Sequence, residues 1–136
     1  MNDLEKAINL LKGHNTCILI KDDECYIDQQ RGIRPMLDFI NQGIDLKGFS
    51  VADKIVGKAV SMLFVYAGIK HVYAEVISSA AIEVLEKYHI SYQYKIKTNI
   101  IINRQGNDIC PMEKAVSLID DINQAYLVLQ EKIYKK

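Results

Sequence analysis

Three stretches of this chain bring together side chains that could do chemistry. The first is Asp53-Lys54-Ile55-Val56-Gly57-Lys58-Ala59. Read as a helix, it sets Lys54, Lys58 and Ser61 at i, i+4 and i+7, a narrow polar stripe on an otherwise apolar surface. An ammonium is costly to bury without a partner, so this stripe must face solvent, a carboxylate or a ligand cavity. Gly57 costs about 1 kcal/mol relative to alanine inside a helix, which points to a strand or a ligand coming close. The plainer reading makes Asp53 a helix cap, Lys54 and Lys58 a wet face, and Gly57 a relief of packing. Gly57-Lys58 is not a phosphate-binding P-loop. The first glycine is misplaced, and Ala59 stands where a Ser or Thr would hold magnesium.

The second stretch is Ser78-Ser79, between a predicted strand and a predicted helix. Free N–H groups at a helix start suit an anion. Serine is also the ordinary cap there, and no base for a catalytic serine is visible. The third is Asn103 to Glu113. Cys110 opens a predicted helix, a position that favours a reactive thiol. Glu113 stands three residues on and can reach back to the Cys110 backbone N–H. Arg104 is one of three arginines, with Arg31 and Arg34, and all three fall in predicted loops, where a guanidinium suits a carboxylate or phosphate. The plainer alternative is a proline-started helix with a small buried thiol and a surface arginine. No histidine has a claim by spacing to be the base of a Cys110 nucleophile. Tyr66, Tyr73, Tyr92 and Tyr94 could stack on a base but fit a core or a sheet face better.

The elements that must position these groups follow from hydrophobic periodicity. Asp3 to Lys12 reads as an amphipathic helix closed by Gly13. Thr16–Ile20 and Glu24–Asp28 read as a hairpin turning at Asp22-Asp23, a register that pairs Ile20 with Cys25 and Cys17 with Asp28. Cys17 and Cys25 then face opposite sides of the sheet, which argues against a disulfide. Pro35 starts a short helix, Met36 to Gln42. Val51 to Ala67 reads as a long buried helix, with Ser50 as its cap and Asp53 as the capping-box partner. Lys70–Ile77 is a strand, Ser78 caps a helix through Tyr88, His89–Lys97 alternates as a strand, and Thr98–Ile102 is a further candidate. Pro111 opens another helix. Asp120-Asp121 caps a last one carrying Ile122, Ala125, Tyr126, Leu129 and Ile133. Strand–helix–strand units at this spacing give a mixed sheet with helices on both faces.

At 136 residues the chain forms one domain, and 17 basic side chains offset 17 acidic ones. A neutral balance argues against nucleic acid as a partner. No apolar run approaches the ~20 residues of a membrane helix, and the first residues do not read as a signal peptide, so the expected location is the cytoplasm. Three cysteines and three histidines, with no CxxC and no metal-ligand spacing, predict reduced thiols and neither zinc nor another cofactor.

Three blocks in one order carry a resemblance. They are Gly48-Phe49-Ser50-Val51-Ala52-Asp53-Lys54-Ile55-Val56-Gly57-Lys58-Ala59, then Val72-Tyr73-Ala74-Glu75-Val76-Ile77-Ser78, then Ile102-Asn103-Arg104-Gln105-Gly106 with Cys110-Pro111-Met112-Glu113-Lys114-Ala115. Together they resemble domain of unknown function family 1893, a prokaryotic family grouped with the cytidine-deaminase-like fold. The resemblance implies a three-layer α/β/α domain around a mixed sheet, and, because such domains assemble through helices, a homodimer. In working deaminases the zinc ligands and catalytic Glu sit at two central helix starts, in H-x-E and P-C-x-x-C motifs. The matching starts here, after Ser50 and at Ser78, hold no such motif, so a zinc hydroxide cannot be assembled from them. What remains is a pocket for an anionic or nucleotide-like small molecule, drawing on Asp53, Lys54, Lys58, Ser78, Arg104, Cys110 and Glu113. The alternatives are a thiol-dependent enzyme using Cys110 and a non-catalytic, oligomerising interaction module.

Overall fold

A computed structural model describes residues 1–103 and 105–134. The elements run α1 (Asp3–Leu10), β1 (Cys17–Lys21), β2 (Glu24–Asp28), α2 (Arg34–Asn41), β3 (Ser50–Val56), α3 (Lys58–Ala67), β4 (His71–Ser78), α4 (Ser79–Lys87), β5 (Ser91–Thr98), α5 (Pro111–Val116) and α6 (Ile122–Tyr134). One sheet takes the order β2-β1-β3-β4-β5. β1 is antiparallel to both of its neighbours, and β3, β4 and β5 are parallel. A parallel step needs a crossover, which α3 and α4 supply. These two helices pack on each other, and α2, α5 and α6 join them by packing on α3.

Neighbouring residues of β3 show that helices cover both faces. Val51 belongs to the main core with Leu19, Val72, Leu63, Phe64 and Leu129. Ala52 belongs to a smaller core with Ala7 and Leu11 beneath α1 and Ile18 and Ile20 of β1. Successive strand residues point to opposite faces, so α1 alone forms one outer layer and the remaining packing lies on the other. This is the α/β/α arrangement with a mixed sheet that the residues predict. Burying a side chain such as Leu63 or Phe64, both fully enclosed, contributes about 1.5–3 kcal/mol.

The hairpin takes the predicted register, Ile20↔Cys25 and Cys17↔Asp28. Asp22 turns it with φ 53°, a left-handed conformation that Asp tolerates. Cys17 is buried and Cys25 exposed, and both thiols are free.

The predicted helix from Val51 to Ala67 is instead two elements. Ser50–Val56 is the central strand β3, Gly57 is the N-cap with φ −104° and ψ −175°, and α3 begins at Lys58. Ser50 therefore caps nothing: it pairs with Ile20 and His71 in the ladders. Asp53 is no capping-box partner, and the Lys54–Lys58–Ser61 stripe dissolves because its first member lies on a strand. The reason is burial. The first four residues of β3 are buried whether they point to one face or the other, so the strand carries no alternation, and Asp53 and Lys54 fall where a helix would also place a polar stripe. The predicted strand over Thr98–Ile102 also shrinks: β5 ends at Thr98, and beyond it, among the described residues, Ile102 pairs with Ile109 in one isolated bridge.

Candidate functional site

The parallel strands β3 and β4 deliver two helix starts to the same end of the sheet. At α4, Ser78 is the N-cap as predicted, and its buried Oγ accepts from the Ala81 N–H at 3.1 Å. At α3 the cap residue is Gly57, which has no side chain to accept a hydrogen bond. The acceptor comes from elsewhere in the chain. The Glu113 carboxylate takes the Lys58 N–H at 2.7 Å on Oε1 and the Ala59 N–H at 2.8 Å on Oε2. Two of the four N–H groups left open at any helix start are thus satisfied by an anion, where the helix dipole favours one. The Lys58 ammonium donates to the Ser117 carbonyl at 3.2 Å, a second tie between α3 and the end of α5. The predicted bond from Glu113 to the Cys110 backbone does not form; that N–H donates instead to the Ile101 carbonyl at 2.9 Å.

Gly57 is explained by the same contact. A β-carbon built there would lie 2.3 Å from Glu113 Oε1, 2.6 Å from its Cδ and 2.8 Å from Oε2. The close approach that Gly57 foretells is real, but it is made by a side chain of this chain.

Between these helix starts and the segment after β5 lies an open cleft of about 360 Å³. Lys58, Ser78 and Glu113 line it with Ser117, Asn99 and Lys87, and Met62, Val84, Ile100 and Ile109 give it an apolar side. The volume lies near the lower end of small-molecule sites, and the wall joins an apolar side to a charged one that includes Glu83 and Asp120 as well as Lys58 and Lys87.

Of the predicted site residues, Lys58, Ser78 and Glu113 come together here. Cys110 is half-buried at the start of α5 and does not line the cleft. Lys54 departs altogether: its ammonium donates to the Gly13 carbonyl at 2.8 Å, beyond the end of α1. Asp53 is 5% exposed, and burial pushes its carboxyl up to about 8 against the lowering effect of hydrogen bonds from the Ile55 and Lys54 backbone. It is a buried strand residue, not a lining group. Arg104 lies outside the described residues. Sequence reasoning misses Asn99, Ile100 and Ser117, because the first two read as a strand and the third contributes only backbone and hydroxyl oxygen.

No three His, Cys, Asp or Glu side chains among the described residues gather closely enough to hold a metal ion. The two helix starts offer Ser78, Lys58 and a Glu113 already engaged by two N–H donors, which is not a zinc donor set.

A family model and a solved structure each match nearly the whole chain. The family model "TM1506: Domain of unknown function (DUF1893)" matches residues 6–133. The crystal structure of a DUF1893 family protein from Thermotoga maritima is similar at 26% identity and a TM-score of 0.88, covering 96% of this chain and 90% of that one. A deaminase/reductase from the same organism, a diaminohydroxyphosphoribosylaminopyrimidine deaminase joined to a 5-amino-6-(5-phosphoribosylamino)uracil reductase, matches at 16% identity and a TM-score of 0.47, over 68% of this chain and 35% of that one. No curated protein matches the sequence.

Proposed function

The chain belongs to the DUF1893 family, and we propose that it binds a small nucleotide-like or other anionic molecule in the cleft between α3, α4 and α5. The observation that carries this reading is convergence. Lys58, Ser78 and Glu113, far apart in the chain, line one cavity at the carboxyl ends of parallel strands. That is where open α/β sheets place their ligands. The apolar side, from Met62, Val84 and Ile100, suits the face of a ring, and Lys58 and Lys87, set among Glu83, Glu113 and Asp120, suit its polar substituents.

Melting curves against nucleosides, nucleotides and sugar phosphates test it. A ligand at 100 times its dissociation constant adds about 2.7 kcal/mol, a visible rise in melting temperature. Lys87→Ala, on the outer turn of α4, should weaken that rise without unfolding the protein. Absence of any rise across the three ligand classes removes the proposal.

A second reading, pairing of two copies, draws on β5. Among the described residues this strand is an edge of the sheet, with one side of its backbone unpaired. Register aligns Ile55, Val76 and Ile96 in one row across β3, β4 and β5, and Ile55 and Ile96 are 52% and 53% exposed. Sedimentation of the natural protein and Ile96→Lys decides it: a dimer lost in the variant supports pairing, and a monomer at every concentration refutes it.

A further inference from the structure

We propose that Glu113 is a latch: its carboxylate, seated on the start of α3, holds α5 as one wall of the cleft, and release of this contact opens the wall. The proposal rests on the cleft reading above, but its test does not require a ligand.

The contact has the features of a specific closure. It is bidentate, with each carboxylate oxygen taking its own N–H, from Lys58 at 2.7 Å and Ala59 at 2.8 Å. Glu113 lies 55 and 54 positions along the chain from these two donors, so the contact reports tertiary placement of α5 rather than local helix capping. The seat is shaped for it, since the three heavy atoms nearest a β-carbon at Gly57 all belong to Glu113. The Gly57 backbone, at φ −104°, is ordinary for any residue, so a β-carbon there meets no backbone strain and acts by displacing the carboxylate from its seat.

The wall it holds is lightly built. α5 spans six residues, Pro111–Val116, and of these only Val116 is fully buried. Its other polar tie to α3 is the Lys58 ammonium on the Ser117 carbonyl at 3.2 Å. By contrast, α3 and the strands beneath it lie in the main core. Opening would therefore move α5 away from a fixed α3, because local opening follows the element with the fewest buried contacts. Glu113 and Lys58 themselves line the cleft, so the same movement widens it.

Amide hydrogen exchange tests the latch residue by residue. The Lys58 and Ala59 amides have no acceptor within their own helix, and among the described residues their acceptor is Glu113. The natural protein is compared with Glu113→Gln, which removes the charge, and with Gly57→Ala, whose new methyl occupies the carboxylate's space. We expect exchange at Lys58 and Ala59 to rise about tenfold or more in both variants. Exchange should rise together with it at Cys110 and Lys114, whose N–H groups bond the Ile101 and Cys110 carbonyls. Amides of β3 and β4 should stay as protected as before. Faster exchange at Lys58 and Ala59 alone, with Cys110 and Lys114 unchanged, would make Glu113 a cap and overturn the latch. Equal rates at all four in every protein would overturn it too. Should Gly57→Ala fail to fold, Glu113→Gln by itself still separates latch from cap. A missing ligand in the melting curves would leave this result untouched.

Discussion

Cys17 and Asp53 are direct partners across the β1–β3 ladder, and both are buried in the middle of the sheet. Asp28 pairs with Cys17 from the other side, so the row runs acid, thiol, acid. Burial is the main force on Asp53 and pushes its carboxyl up to about 8. Burial also raises the Cys17 thiol, reinforced by the charges of Asp53 and Asp28.

This row sets a pH dependence. An unfolded Asp loses its proton near 3.9, so between that value and about 8 the folded chain holds a proton the unfolded chain has released. Stability then falls as pH rises through this window, by at most about 1.4 kcal/mol per unit from this group, and levels once the folded carboxyl has ionised. Urea midpoints at about pH 5 and about pH 9 should show the drop. Asp53→Asn should flatten it. An unchanged slope in the variant would assign the effect to other groups.

The same burial orders the cysteines by reactivity. Cys25 is exposed, Cys110 half-buried and Cys17 enclosed. Alkylation at neutral pH followed by mass mapping should modify Cys25 first, Cys110 more slowly and Cys17 only after denaturation. Labelling of Cys110 ahead of Cys25 would favour the thiol-dependent reading instead.

Ser78→Ala removes the acceptor for the Ala81 N–H at the buried start of α4. The loss should cost about 1 kcal/mol, within the usual range for a cap. A urea titration checks it, and no change would mean that Ala81 finds another acceptor.

Lys54→Ala and Lys58→Ala should separate, although the two residues look equivalent in the sequence. Among the described residues the Lys54 ammonium bonds the Gly13 carbonyl, away from the cleft, so its loss should leave ligand-induced stabilisation unchanged and alter stability by under about 1 kcal/mol. Lys58 lines the cleft, and its loss should weaken that stabilisation. Parallel melting curves with and without ligand compare them.

The hairpin, the Ser78 cap and the layering are legible because each rests on neighbours in sequence: a turn at Asp22, a serine before an apolar helix, and strands separated by helices. Two features are not. β3 mixes Asp53 and Lys54 into its apolar residues and so lacks the alternation of a half-buried strand; Val51 to Val56 then runs into α3 as if one helix, and only Gly57 marks the join. A false helix then places Lys54 beside Lys58, whereas the strand carries Lys54 to α1. The second feature is the partner of Glu113. Its spacing to Cys110 suggests a local hydrogen bond, but a carboxylate goes to the open N–H groups that the fold presents, and those belong to Lys58 and Ala59.

The void left by hydrogen at Gly57 is the mould into which Glu113 is cast. A relative carrying a bulkier residue at the first position pushes a carboxylate at the second off this seat, and one carrying a short side chain at the second gains nothing from the vacancy. These two sites should therefore be exchanged as a pair whenever the family varies either of them.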